Sequence, residues 1–163
     1  MEGYKIIQIF LIFFFISCGN SKQGRNMETI NINVDNFYTS SKVGDLYRIP
    51  LIKPIQIISS IGYGDSWVLK LPYQQIEANV SIEVDSVCLI DSLIIIYSKS
   101  TYLPGGMTQV WLLIDTKNKL ELVYRNYNEY QMNLNKMNIT SPIFYDVNEL
   151  YTQFKKKGYM PFK

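Results

Sequence analysis

The 163-residue sequence predicts an α+β fold: an antiparallel β-meander of about six or seven strands, with two short C-terminal helices packed on one face. Three observations carry this expectation. Short apolar or alternating runs are separated by compact clusters of Gly, Pro, Asn and Asp, the punctuation of antiparallel neighbours. The stretch 146–158, "DVNELYTQFKKKG", collects nearly every signal of a helix. A composition of 47% hydrophobic and 18% charged residues is that of a globular chain rather than a disordered or fibrous one.

The elements follow in order. "ETININV" (28–34) sets Ile30, Ile32 and Val34 against Asn31 and Asn33, the period of a half-buried edge strand. "DNFYTSSKVGD" (35–45) reads as a loop. "LYRIPLIKPIQIIS" (46–59) is extended because Pro50 and Pro54 exclude helix, and its later half can pair in a sheet. "IGYGD" then turns the chain into "SWVLKL". In "VSIEVD" (80–85), Val80, Ile82 and Val84 face one way and Ser81, Glu83 and Asp85 the other, so this strand has a wet face. "SLIIIY" and "QVWLLI" are apolar on both faces and belong at the centre of a sheet covered on both sides. Their connection "LPGGM" is a hairpin turn, and "TKNK" leads from the second into "LELVY".

Two helices close the chain. In the weaker, "NEYQMNLNKM", Tyr130, Leu134 and Met137 repeat at helical spacing after Asn128 as an N-cap. In the stronger, Asp146 with Glu149 forms an acidic capping box, and Val147, Leu150, Tyr151 and Phe154 share one face. Lys155, Lys156 and Lys157 complement the helix dipole, and Gly158 stops the helix.

The N-terminus carries an address. "IIQIFLIFFFI" (6–16) has one polar residue but falls short of the roughly 20 residues that span a bilayer. Lys5 precedes it and small residues follow, the layout of a secretory signal. Phe15-Ile16-Ser17-Cys18 resembles the lipobox of bacterial lipoproteins, although Phe15 stands where that family usually has an aliphatic residue. The resemblance implies that residues 1–17 are a signal peptide and that Cys18 takes a diacylglycerol and acyl chains such as palmitate. Residues 18–27 then form a flexible tether, 28–163 a single globular domain, and the protein is held on the envelope membrane, periplasmic or surface-facing. An ordinary cut before Asn20, or an uncleaved segment, are the alternatives. Removal of 1–17 leaves 146 residues, enough to bury roughly two-thirds of the unfolded surface without disulfides. Cys88, among apolar neighbours, reads as a buried hydrophobe.

The chemistry is bounded chiefly by what is missing. The chain has no histidine, which excludes His-based triads and His-ligated zinc; one remaining cysteine excludes a thiolate zinc site. Neither phosphate-binding glycine motif occurs, and no cofactor or metal is expected. A net charge of +2 gives no reason to expect nucleic acid. Glu83 and Asp85, roughly 6–7 Å apart by strand rise, are the one carboxylate pair suited to acid–base hydrolysis, but alternating acids on a wet strand are ordinarily just solvated. Asp115 in "DTKNKLE" superficially resembles a calcium loop, which Lys117 and Lys119 contradict. Asn79 and Asn138 match glycosylation patterns, which are irrelevant if the lipobox resemblance places the protein in bacteria. Trp67 and Trp111 read as core residues.

What remains is "YRNYNEYQ", where Tyr124, Arg125 and Tyr127 form a candidate binding surface, since Tyr and Arg dominate protein contacts. A plainer account has Tyr124 closing a strand, Tyr130 facing the core and Tyr127 alone exposed. The functional expectation is a non-enzymatic cell-envelope lipoprotein, joined to the membrane through Cys18 and binding a protein partner as an accessory or immunity/inhibitor-like module. A carbohydrate- or small-ligand-binding lipoprotein is the second reading, and a carboxylate-only hydrolase the third.

Overall fold

The computed structural model describes residues 35–62, 67–73 and 80–162. The expected strand at 28–34, Cys18 with its signal and tether, Asn79 and most of "IGYGD" lie outside these residues.

The antiparallel architecture is as expected, but the described residues form ten strands rather than six or seven, arranged in two five-stranded sheets rather than one. The stretch read as a loop contains a one-turn helix, α1 (Asn36–Thr39), and strand β1 (Lys42–Val43). Asp35 accepts the Phe37 amide to start the turn, and Gly44, at a φ of +58°, reverses the chain into β2 (Leu46–Pro50). These elements escape sequence reading because each is too short to show a period. The first sheet continues through β3 (Gln56–Ser59), β4 (Val68–Lys70) and β5 (Ser81–Glu83), in the order β1-β2-β3-β4-β5.

The chain crosses between sheets at Val84–Asp85. The Val84 amide donates to the Trp67 carbonyl in the first sheet, and the Asp85 amide donates to the Tyr97 carbonyl in the second. "VSIEVD" is therefore a strand with a corner at its end. The second sheet comprises β6 (Ser86–Ile90), β7 (Leu93–Leu103), β8 (Gly106–Asp115) and β9 (Leu120–Tyr124), with the two-residue β10 (Tyr145–Asp146) added outside β6. Its order is β10-β6-β7-β8-β9. Both expected turns are present. Gly105 and Gly106, at φ of +100° and +107°, close β7 onto β8, and Asp115 accepts the Lys117 and Asn118 amides at the start of the β8–β9 turn. Those amide bonds, Asn118 first, hold the Asp115 carboxyl below the usual carboxylate range.

Alternation divides the second sheet into two buried faces, as the doubly apolar strands require. Val87, Ile94, Ile96, Leu112 and Ile114 face the first sheet, meeting Ile49, Ile57, Trp67, Leu69 and Ile82. Cys88, Ile95 and Leu113 face the other way. The two helices do not share a face. α2 (Tyr127–Lys136) inserts Tyr130 and Leu134 against the Cys88 side, whereas α3 (Val147–Lys157) joins the inter-sheet core through Val147, Leu150 and Tyr151. A sheet that is apolar on both sides needs a cover on each, so the helices separate. The cap of α2 is Asn126, not Asn128; its Oδ1 accepts the Asn128 and Glu129 amides. Met137 ends α2 exposed rather than buried. α3 has the expected Asp146 cap, the buried face including Phe154, and Gly158 in the left-handed region. Trp67 is buried as expected, its indole Nε1 donating to Asn148 Oδ1 at 2.8 Å and its ring 5.0 Å from that of Tyr151.

Candidate functional site

The outer face of the second sheet carries the most distinctive surface. Register places Tyr97 of β7 opposite Trp111 of β8, and Trp111 opposite Tyr124 of β9, so three aromatic side chains stand in one cross-strand row. α2 begins two residues after β9 ends. That short connection brings Tyr127, its first residue, and Tyr130, one turn on, over the row.

The rings form one cluster around Trp111. Tyr130 stacks on the indole at 5.5 Å and 17°, while Tyr127 and Tyr97 flank it at 5.3 Å and 5.6 Å, tilted by 53° and 37°. Tyr124 meets Tyr130 from below at 6.2 Å. Exposure then separates the members. Tyr124 and Tyr130 are buried, Tyr97 and Trp111 are half-buried, and Tyr127 is 54% exposed. Burial pushes both the Tyr124 and Tyr130 phenols upward, with a smaller contribution from Glu129 for Tyr124 and from Cys88 for Tyr130.

Beyond the reach of α2 the same face continues with no other described element over it. Along β8, Gln109 and Met107 follow Trp111 at alternate positions, and Tyr102 pairs across from Met107. Tyr102 is 73% exposed and Met107 59%. Gln109 Nε2 donates to the Tyr97 hydroxyl at 3.2 Å. Parity is maintained despite an extra residue in β7 between Ser98 and Thr101, where the register shifts. The result is a stripe running Tyr127, Trp111, Tyr97, Gln109, Met107 and Tyr102.

Each residue of the expected surface can now be placed. Tyr127 lies on the stripe; Tyr124 supports it from inside and contributes no exposed area; Arg125 is exposed but turned to another task, its guanidinium donating to the Pro104 carbonyl at 2.5 Å. That bond ties the β7–β8 hairpin tip to the segment preceding α2. A Cβ on Gly105 would stand 3.3 Å from Arg125 Nη1, so the turn glycine also leaves room for the guanidinium. Tyr97, Gln109, Met107 and Tyr102 were not anticipated. The alternation "GMTQVW" held part of the signal, but only the pairing of β7 with β8 brings these residues beside Trp111.

A second feature is a cleft of about 410 Å³ at the corner between the sheets, lined by Glu83, Val84, Asp85, Lys99, Ser100, Asp146, Val147 and Asn148. The expected carboxylate pair is here, but Asp85 is committed. It accepts the Lys99 amide at 2.6 Å and pairs with Lys99 Nζ at 3.2 Å, an interaction that raises the Lys99 ammonium. Asp146 is engaged in capping α3. Among the described residues no three potential ligands converge as a metal site. Cys88 is buried as a free thiol, and burial pushes its thiol up, away from reactivity.

Compared with protein-family models, curated proteins and solved structures, the chain gives no match.

Proposed function

We propose that this chain is a non-enzymatic cell-envelope lipoprotein, anchored by lipid on Cys18, whose domain binds another protein through the outer face of the second sheet. The observation that carries the binding role is the stripe itself. Tyr102, Met107 and Tyr127 are large, apolar and mostly exposed, and they adjoin a ring cluster whose members lock one another in place. Tyr, Trp, Met and Arg are the residues that protein interfaces concentrate, and a pre-ordered aromatic surface loses little side-chain entropy on binding. The lipobox resemblance and the short apolar run before Cys18 support the anchor. An immunity or inhibitor-like role is the narrower form of this reading.

The test is retention of a partner by the native protein against a Tyr102→Ser/Tyr127→Ser variant, both folded by circular dichroism. Loss of one defined partner in the variant supports the assignment; a partner held equally by both removes the stripe from it. Carbohydrate binding is the second reading, favoured by the half-buried indole flanked by two tilted tyrosines with the Gln109 amide at the rim. Quenching of tryptophan fluorescence by envelope glycans would favour it. The commitment of Asp85 to Lys99 weighs against a hydrolase built on Glu83 and Asp85.

A further inference from the structure

From the C-terminal end of α3 we infer a second interaction surface, fitted to an anionic lipid bilayer, that lays the domain on the membrane with its aromatic stripe turned away. The inference rests on the anchor proposed above. Lys155, Lys156 and Lys157 are all exposed in the last turn of α3. A helix dipole accounts for cations on its own last turn, and further cationic and aromatic groups are linked to the same helix. Lys42 of β1 sits over the Tyr47 ring with Nζ 4.8 Å from its centroid, and that ring lies 5.9 Å from Tyr151. Tyr151 is one turn before Lys155, on the same helix face. Ring contacts thus link Lys42 of β1, through Tyr47 and Tyr151, to the helix that carries Lys155, Lys156 and Lys157.

Aromatic surface accompanies them. Lys157 Nζ lies 5.9 Å from the Tyr159 ring, and Tyr159 is 60% exposed immediately after the Gly158 stop. An amphipathic ring beside lysines is the combination found where proteins meet lipid headgroups. Among the described residues the ion pairs Lys53–Asp35 and Lys99–Asp85 involve none of these lysines, and the helix rise puts Glu149 roughly 10 Å from the last turn of α3. The placement also orders the two surfaces. α3 joins the inter-sheet core and α2 the outer cluster, so the helix that carries the three lysines and the stripe pack on opposite faces of the second sheet. Contact through the lysines leaves the stripe facing outward.

The test uses the full-length acylated protein, partitioned from detergent onto vesicles of phosphatidylcholine alone or of phosphatidylcholine with phosphatidylglycerol. The anchor is read on the neutral vesicles and the lysines by the increment on the anionic ones. At low salt each lysine adds about fivefold, so Lys155→Gln/Lys156→Gln/Lys157→Gln removes an advantage on the order of 100-fold, and Lys42→Gln alone about fivefold. The advantage also falls steeply with added salt. No anionic preference in the native protein, or a preference that the triple variant retains, overturns the inference. So does equal binding to soluble polyphosphate, which would mark a polyanion site instead of a membrane surface. Failure on neutral vesicles with a preserved anionic increment removes the anchor and leaves the lysine surface standing.

Discussion

Replacing Tyr130 by phenylalanine is the sharpest test of the packing described between α2 and the second sheet. Tyr130 is 1% exposed, its ring stacks on Trp111, and its hydroxyl has no hydrogen-bond partner among the described residues. The ring contributes the burial and the stacking, while the hydroxyl carries only the cost of leaving water, about 1–3 kcal/mol for an unsatisfied buried group. Tyr130→Phe keeps the first and removes the second. The expected outcome is a protein equally stable or more stable by up to about 2 kcal/mol, after allowance for the small void left by one oxygen. Urea unfolding followed by tryptophan fluorescence measures it, with stability read from the midpoint at constant m. Trp67→Phe provides the contrast. It removes the 2.8 Å bond to Asn148 and under-fills the inter-sheet core, and it should cost about 2–3 kcal/mol. A loss of more than about 1 kcal/mol in Tyr130→Phe would show that the hydroxyl is bonded and that the geometry around α2 is wrong.

Further outcomes follow from the same geometry. Because burial raises the Tyr130 and Tyr124 phenols above the usual tyrosine value near 10, the folded state holds these protons more tightly than the unfolded one. The contribution of these two phenols is therefore fully present below about pH 10 and is lost as pH rises beyond it, and Tyr130→Phe should soften that alkaline fall in urea titrations. Asp146→Ala strips the cap from α3 and should cost about 1 kcal/mol by the same melt, whereas Asp91→Ala, in the β6–β7 turn, should not unwind any helix by circular dichroism. Arg48 is buried and bonds the carbonyls of Asn36, Phe37 and Ser40, so Arg48→Met should release the α1 turn and open limited-proteolysis sites within 35–41 while the melt of the sheets changes little.

The sequence was legible where a local rule acts alone. α3 was readable in full because its cap, apolar face and stop occupy thirteen consecutive residues, 146–158. The β7–β8 hairpin was readable from its glycines and the doubly apolar strands on either side of them. The division into two sheets was hidden because it occurs within two residues, Val84 and Asp85, whose alternation simply continues that of β5. The separation of the helices was written in the doubly apolar central strands, which need a cover on each face, but period alone does not assign a helix to a face. The site followed the same divide. Tyr127 was visible in its tyrosine-rich segment, while Tyr97, Met107 and Tyr102 become neighbours only through cross-strand register. Arg125 has the composition of a contact residue, yet it braces the hairpin tip instead.

The central claim is that the exposed stripe on the second sheet is the binding surface, and the most direct measurement is partner retention from gently solubilised membranes. Native protein, Cys18→Ala and Tyr102→Ser/Tyr127→Ser would be compared, with the bound species read by mass spectrometry. The account predicts one defined protein with the native form, its loss from the stripe variant although that variant remains folded and membrane-bound, and release of the Cys18→Ala form from the membrane. The same partner retained in full by the stripe variant would contradict it.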